Sequence, residues 1–140
     1  MTLIVKDQYV ASCITGDVIG AAMEVHRRLG PGFLESVYEE ALAVELKLKK
    51  VRFERQKELP VFYRDKIIKK FVCDFFVNGQ VIVELKAAKE LGEIDGIQVI
   101  SYLKASDIET GLLINFGAKS LGYKRLINSK SRNHSNQSNQ

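Results

Sequence analysis

Apolar residues recur at three- and four-residue spacing from 15 to 29, where Val18, Ala21, Ala22, Val25 and Leu29 share one face of a predicted helix. Thr15 stands where an N-cap is expected, and Asp17 suits the positive end of the helix dipole. Gly30 and Pro31 supply the stop, a left-handed residue followed by a ring that blocks continuation, and Gly32 extends the turn. A second helix is predicted from about Leu34 to Lys50 on the stripe Leu34, Val37, Tyr38, Ala41, Leu42 and Leu46. Lys47, Lys49 and Lys50 load its C-terminal end, where cations are favoured.

The period then shortens to two. Val51 to Leu59 reads as a strand, Pro60 interrupts it, and Val61-Phe62-Tyr63 reads as the next strand before a turn at Arg64-Asp65-Lys66. A long strand follows from about Ile67 to Val77, and Asn78-Gly79 signals a hairpin. The return strand, Val81 to Ala87, is apolar on both faces and so belongs at the covered centre of a sheet. Ile94 to Lys104 reads as a third helix with Ile94, Ile97, Ile100 and Leu103 inward. Gly111 to Phe116 reads as a buried strand and Tyr123 to Ile127 as a short edge strand. Two helices, a β-meander, a helix and two strands imply an α/β (α+β) domain, a mixed central sheet flanked by helices. That domain spans residues 1–128, and the Ser/Asn/Gln-rich tail from Ser129 to Gln140 is expected to be disordered.

Composition narrows the function classes without choosing one. At 140 residues and 46% hydrophobic, the chain has enough apolar surface for one real core. Its net charge of +4 and pI of about 9.1 permit a polyanionic partner but do not demand one. Cys13 and Cys73 match no zinc or redox spacing, and both sit among apolar residues that predict buried thiols. No run approaches the roughly 20 apolar residues of a membrane span, and the start is too short an apolar run for a secretory signal. A reducing, cytoplasmic setting is the expectation.

The anomaly that bears on chemistry is Glu84 and Lys86 inside the strand that otherwise reads as core. A buried charge costs several kcal/mol unless it is paired or bound to metal. Period two puts both on one face, and Asp74 adds a third charge in the neighbouring strand. Two readings remain open at this point. One is an internal Glu–Lys–Asp ion network or an exposed sheet edge. The other is a magnesium site, in which two carboxylates on adjacent strands hold a hard cation and a lysine steers water or stabilises charge on a phosphate. The metal reading makes a geometric demand. A two-residue loop at Asn78-Gly79 would place Asp74 and Glu84 on opposite faces, so a three-residue loop or a bulge is required.

The set Asp74, Glu84-x-Lys86 resembles the motif of the PD-(D/E)xK nuclease superfamily. The segment Gly32-Phe33-Leu34-Glu35-Ser36-Val37-Tyr38 resembles the signature of the GxxExxY protein family, and Val83 to Ala87, Gln98-x-x-x-Tyr102 and Gly111 to Phe116 agree with it. The resemblance covers about residues 14–128 and implies a restriction-endonuclease-like core. It implies Asp74 and Glu84 as metal ligands, the backbone carbonyl of Leu85 as a third, Lys86 as the catalytic lysine, and Glu35 as an extra acidic residue at the metal. Gln98, Tyr102 and Tyr38 are assigned to the substrate side. The sequence departs from the pattern at Asp95, where a histidine is expected.

The implied function is hydrolysis of phosphodiester bonds in nucleic acid, with DNA the favoured partner and Mg²⁺ (or Mn²⁺) the cofactor. The alternative is a non-catalytic nucleic-acid-binding or protein-interaction module that retains the nuclease core. A homodimer through an edge strand or the first helix is a weaker third expectation. His26, alone on its helix, reads as structural, and the lysines at 47, 49, 50, 66, 69 and 70 are candidates to track a phosphate backbone.

Overall fold

The computed structural model describes residues 2–128, with side chains from residue 10 onward; the predicted polar tail lies outside the described residues. Eight elements follow in the order α1 (Thr2–Leu29), α2 (Glu35–Leu48), β1 (Phe53–Tyr63), β2 (Lys66–Val77), β3 (Val81–Lys86), α3 (Glu93–Ser106), β4 (Thr110–Asn115) and β5 (Gly122–Ile127). The five strands form one mixed sheet in sequential order, antiparallel except for the parallel β3–β4 pair that α3 connects.

Apolar clusters cover both faces of this sheet. On one side Val18, Ala21, Ala22 and Val25 of α1 and Tyr38, Leu42 and Leu46 of α2 pack on Phe75, Val81, Val83, Leu85, Leu112 and Ile114. On the other, Val99, Tyr102 and Leu103 of α3 pack on Cys73, Ile82 and Leu113. Alternate residues of β3 therefore serve opposite layers, and the strand is buried from Val81 to Leu85, as its two-sided apolar pattern predicts.

Several elements differ from the sequence reading for physical reasons. Helix α1 begins well before Thr15, which is buried in its interior. The Thr15 hydroxyl donates back to the Ser12 carbonyl (3.0 Å), a bond a mid-helix threonine makes in place of a cap, and accepts from Arg125 Nε of β5 (2.9 Å). The longer helix puts Cys13 on its outward face, so that thiol is exposed, whereas Cys73 is buried. The predicted stop holds: Gly30 takes φ 68 and its N–H donates to the His26 carbonyl.

Pro60 does not split β1. The strand lies at the sheet edge, where a missing N–H costs no ladder bond, and the register shifts only between Val61 and Phe62. In α3 the inward positions are Val99, Tyr102 and Leu103; Ile94 and Ile97 are 72% and 58% exposed. The 3.6-residue period is satisfied by either stripe, and contact with β4 selects the second. There the side chain of Val99 lies so near Gly111 that a Cβ would approach it to 2.8 Å.

Candidate active site at the β2–β3 divergence

The hairpin between β2 and β3 sets the geometry. Asn78 (φ 53) and Gly79 (φ 66) take the left-handed conformations of a type I′ turn, and the Gln80 N–H donates to the Val77 carbonyl. Val77 then pairs with Val81, which makes the three-residue loop that the shared face of Asp74 and Glu84 demands. The ladder continues through Phe76↔Ile82 and Phe75↔Val83. At the next level, Asp74 opposite Glu84, side chains replace it. The Asp74 N–H donates to Glu84 Oε1 (2.9 Å), and the Leu85 N–H donates to Asp74 Oδ2 (2.8 Å). Each carboxylate thus satisfies the backbone of the other's strand and is fixed by it.

The outer hairpin turns at the same level. Phe75 joins the α1/α2 cluster, but Cys73, two residues earlier, joins the α3 cluster. Opposite Asp74, Gln56 of β1 adopts φ 50, the left-handed region for a non-glycine residue, and interrupts the pairing between Arg55↔Phe75 and Lys57↔Cys73. Strain of this kind persists only where surroundings enforce it. Here the Gln56 amide donates to Glu39 Oε1 (2.9 Å) and to Asp74 Oδ1 (3.3 Å), tying α2 to the site. Arg55 holds Glu39 and Glu40 through its guanidinium at 2.7 and 2.6 Å.

The electrostatics identify a single acidic centre. Glu84 is only 7% exposed, and burial, reinforced by the charge of Asp74, pushes its carboxyl up to about 8. Burial also raises Asp74, against the opposing bonds from Leu85 and Gln56. Glu35, exposed as a residue, is raised by partial burial of its carboxyl and then by Asp74. The Lys86 ammonium pulls all three the other way, so it lies within electrostatic reach of each. Lys86 Nζ also sits 4.0 Å from Asp95 Oδ1 of α3, and the other Asp95 oxygen accepts the Gly92 N–H at the start of that helix (2.8 Å).

The loops after β3 and β4 are locked to one another below this centre. Asn115, buried, accepts from the Ala88 N–H (2.9 Å) and Gly117 N–H (3.1 Å) and donates to the Ala88 carbonyl (2.9 Å). Gly117 approaches so closely that a Cβ would stand 2.4 Å from the Ala88 backbone nitrogen and oxygen. The Phe116 N–H donates to the Lys86 carbonyl (2.8 Å), and His26 Nε2 donates to the Ala118 carbonyl (2.9 Å), a structural role for that histidine.

The structure brings Asp74, Glu84, Lys86 and Glu35 into one neighbourhood, with Leu85 between two of them and its N–H engaged by Asp74. Gln98 is exposed and Tyr102 nearly buried, both on a groove beside α3. Tyr38 is a correction. It is fully buried, its hydroxyl donates to the Gly30 carbonyl (2.6 Å) and accepts from the Phe33 N–H (3.2 Å), and its ring stacks on Phe116 at 4.7 Å. No surface remains for a substrate; Tyr38 holds the loop that leads into Glu35. Sequence reasoning missed Gln56, Glu39 and Asn115, and marked Asp95 only as a departure from the family pattern. Glu39, four residues after Glu35 on the same helix face, carried a readable signal.

The donor set suits a hard divalent cation. Two carboxylates converge from neighbouring strands, and among the described residues neither is in an ion pair and Glu84 Oε2 accepts no hydrogen bond yet is not enclosed. No group of three or more His, Cys, Asp or Glu side chains is arranged to hold a metal among the described residues. The protein's side-chain contribution is therefore the pair, which fits Mg²⁺, an ion that keeps several waters.

Comparison with known proteins agrees with this geometry. A sequence model of the PD-(D/E)XK nuclease superfamily matches residues 12–126. No curated protein matches the sequence. Among solved structures, the one titled "Crystal structure of SSO0001" superimposes with a TM-score of 0.53 at 17% identity, over 72% of this chain and 56% of that one. That likeness bears on the fold alone, and the chain spans just over half the length of that protein. The superfamily match covers most of the chain, including Asp74, Glu84 and Lys86, and the protein belongs to the PD-(D/E)XK nuclease superfamily.

Proposed function

We propose that the protein is a divalent-cation-dependent hydrolase of phosphodiester bonds in nucleic acid, with DNA as substrate, and that within its superfamily it belongs to the GxxExxY group through Gly32, Glu35 and Tyr38. The observation that carries this reading is the reciprocal anchoring of Asp74 and Glu84 across the strand divergence, with Lys86 two residues along the same strand face. Asp74 and Glu84 would hold Mg²⁺ or Mn²⁺, with the Leu85 carbonyl as a further oxygen donor and Glu35 acting through coordinated water. When bound, such an ion lowers the pKa of coordinated water and polarises the phosphate. Lys86 orients the attacking water or offsets charge that develops on the phosphate. Asp95 holds the Lys86 ammonium on the α3 side, and Gln98 and Tyr102 contact the substrate.

The test is hydrolysis of labelled DNA with Mg²⁺ or Mn²⁺ against an EDTA control. Lys86→Ala is expected to lose about 10²–10³-fold in rate while still binding the cation. Equal rates in a folded Lys86→Ala variant would remove lysine-assisted hydrolysis. A second reading, a binding module without catalysis, draws on the carboxylates' internal hydrogen bonds and the lack of a third acidic or histidine ligand among the described residues. It predicts salt-dependent DNA affinity that persists unchanged in EDTA, with no cleavage under either metal.

A further inference from the structure

The two isoleucines that α3 leaves uncovered are placed where they bear on the site. Ile94 and Ile97 line a groove of about 570 Å³ between α3 and β2, together with Phe71, Tyr102, Lys69 and Gln98. Phe71 and Tyr102 form its aromatic wall, their rings 4.7 Å apart and inclined at 45°. Asp95 lies at the end nearest the acidic centre, where it faces Lys86. The groove thus adjoins the proposed reaction centre through the Asp95–Lys86 pair.

From these surroundings we infer that the groove is a nucleobase subsite, which receives an unstacked base of a single-stranded segment next to the phosphate held at Asp74 and Glu84. This inference rests on the proposed nucleic-acid reading and makes it more specific. Exposed aliphatic side chains beside an aromatic wall suit the flat apolar face of a base, and stacking of this kind is tolerant of sequence. Lys69 on the wall supplies positive charge for the backbone, and the pairing of Asp95 with Lys86 offsets the one acidic charge on the lining. Gln98 presents an amide able both to donate to and to accept from a base edge. A duplex keeps its bases stacked and cannot fill the slot, so the groove selects single strands, ends or mismatched positions over paired DNA.

The experiment measures binding of fluorescent single-stranded and duplex oligonucleotides of one sequence to the full chain in EDTA, by anisotropy. Sedimentation is measured in parallel. Because Ile94 and Ile97 are exposed, the double variant Ile94→Ser/Ile97→Ser is expected to fold. Wild type is expected to prefer the single strand. The double variant should lose about tenfold in single-strand affinity with duplex binding unchanged. Lys69→Ala should weaken both and lower the salt dependence by about one ion. Single-strand affinity unchanged in the double variant, or a wild-type preference for duplex, overturns the subsite and leaves the nucleic-acid reading intact. No binding to either oligonucleotide overturns that reading itself. A dimer that the double variant converts to monomer shows a second copy in the groove, and also overturns the subsite.

Discussion

Glu84 occupies a strand covered on both faces of the sheet, and its titration is the sharpest consequence of that placement. Burial moves its carboxyl from an ordinary 4.5 up to about 8 in the metal-free chain. Between those values the folded chain retains a proton that the unfolded chain has released, so stability falls as pH rises. The contribution is complete below 4.5 and lost as pH passes through about 8. Thermal unfolding in EDTA is therefore expected to show a melting temperature that declines across this window, and Glu84→Gln should flatten the decline. Parallel pH profiles for the two proteins would contradict the burial argument. Gln56 offers a second residue-level test. Glycine relieves a left-handed conformation worth about 1–3 kcal/mol, yet removes the bridge to Asp74 and Glu39. Gln56→Gly is expected to melt near wild type but to bind divalent ions more weakly; unchanged ion affinity would reduce Gln56 to a spacer. Asp74, Glu84 and Lys86 are legible in the sequence because a charge inside an apolar run is anomalous by itself. Gln56 is not, because its partners lie 17 and 18 residues away and its conformation follows from the hairpin's turn.

Elements fix these residues through a few close contacts. The parallel β3–β4 pair ends in two loops that Asn115 and Gly117 clamp at Ala88, just beyond Lys86. Gly117→Ala forces a Cβ against backbone that cannot rotate away, and is expected to cost about 1–3 kcal/mol. Cation binding should weaken with it, as the Lys86 loop shifts. A melting temperature equal to wild type would show that the clamp has slack. Tyr38→Phe leaves the Gly30 carbonyl without its hydroxyl donor and is expected to cost about 1–3 kcal/mol by chemical denaturation. A loss of activity larger than the stability change predicts would mark Tyr38 as a positioning residue for Glu35. At this scale the element order and the two-sided cover of β3 are readable from periodicity, whereas the three-residue hairpin loop is called for by the shared face of Asp74 and Glu84 and not by Asn78-Gly79 alone. The start of α1 and the inward stripe of α3 are not. Thr15 suits an N-cap in sequence but bonds within the helix, and the isoleucine stripe of α3 competes with the stripe of Val99, Tyr102 and Leu103 until β4 and Gly111 choose between them.

For the molecule as a whole, helices cover both faces at the centre of the sheet, and β2 parts from β3 beyond the Phe75↔Val83 pair. That divergence puts two carboxylates and a lysine at one end of the core, beside a largely apolar groove that Lys69 borders. Membership of the superfamily and the three-layer fold agree with this placement. Among the described residues no helix is long and apolar enough to cross a membrane. The central claim is that Asp74 and Glu84 together grip a divalent ion, and titration calorimetry of the full chain with Mn²⁺ addresses it most directly. One saturable site per chain is expected, abolished in both Asp74→Asn and Glu84→Gln while circular dichroism shows the fold retained. Saturable binding that survives in both variants, or none in the wild type, would contradict it.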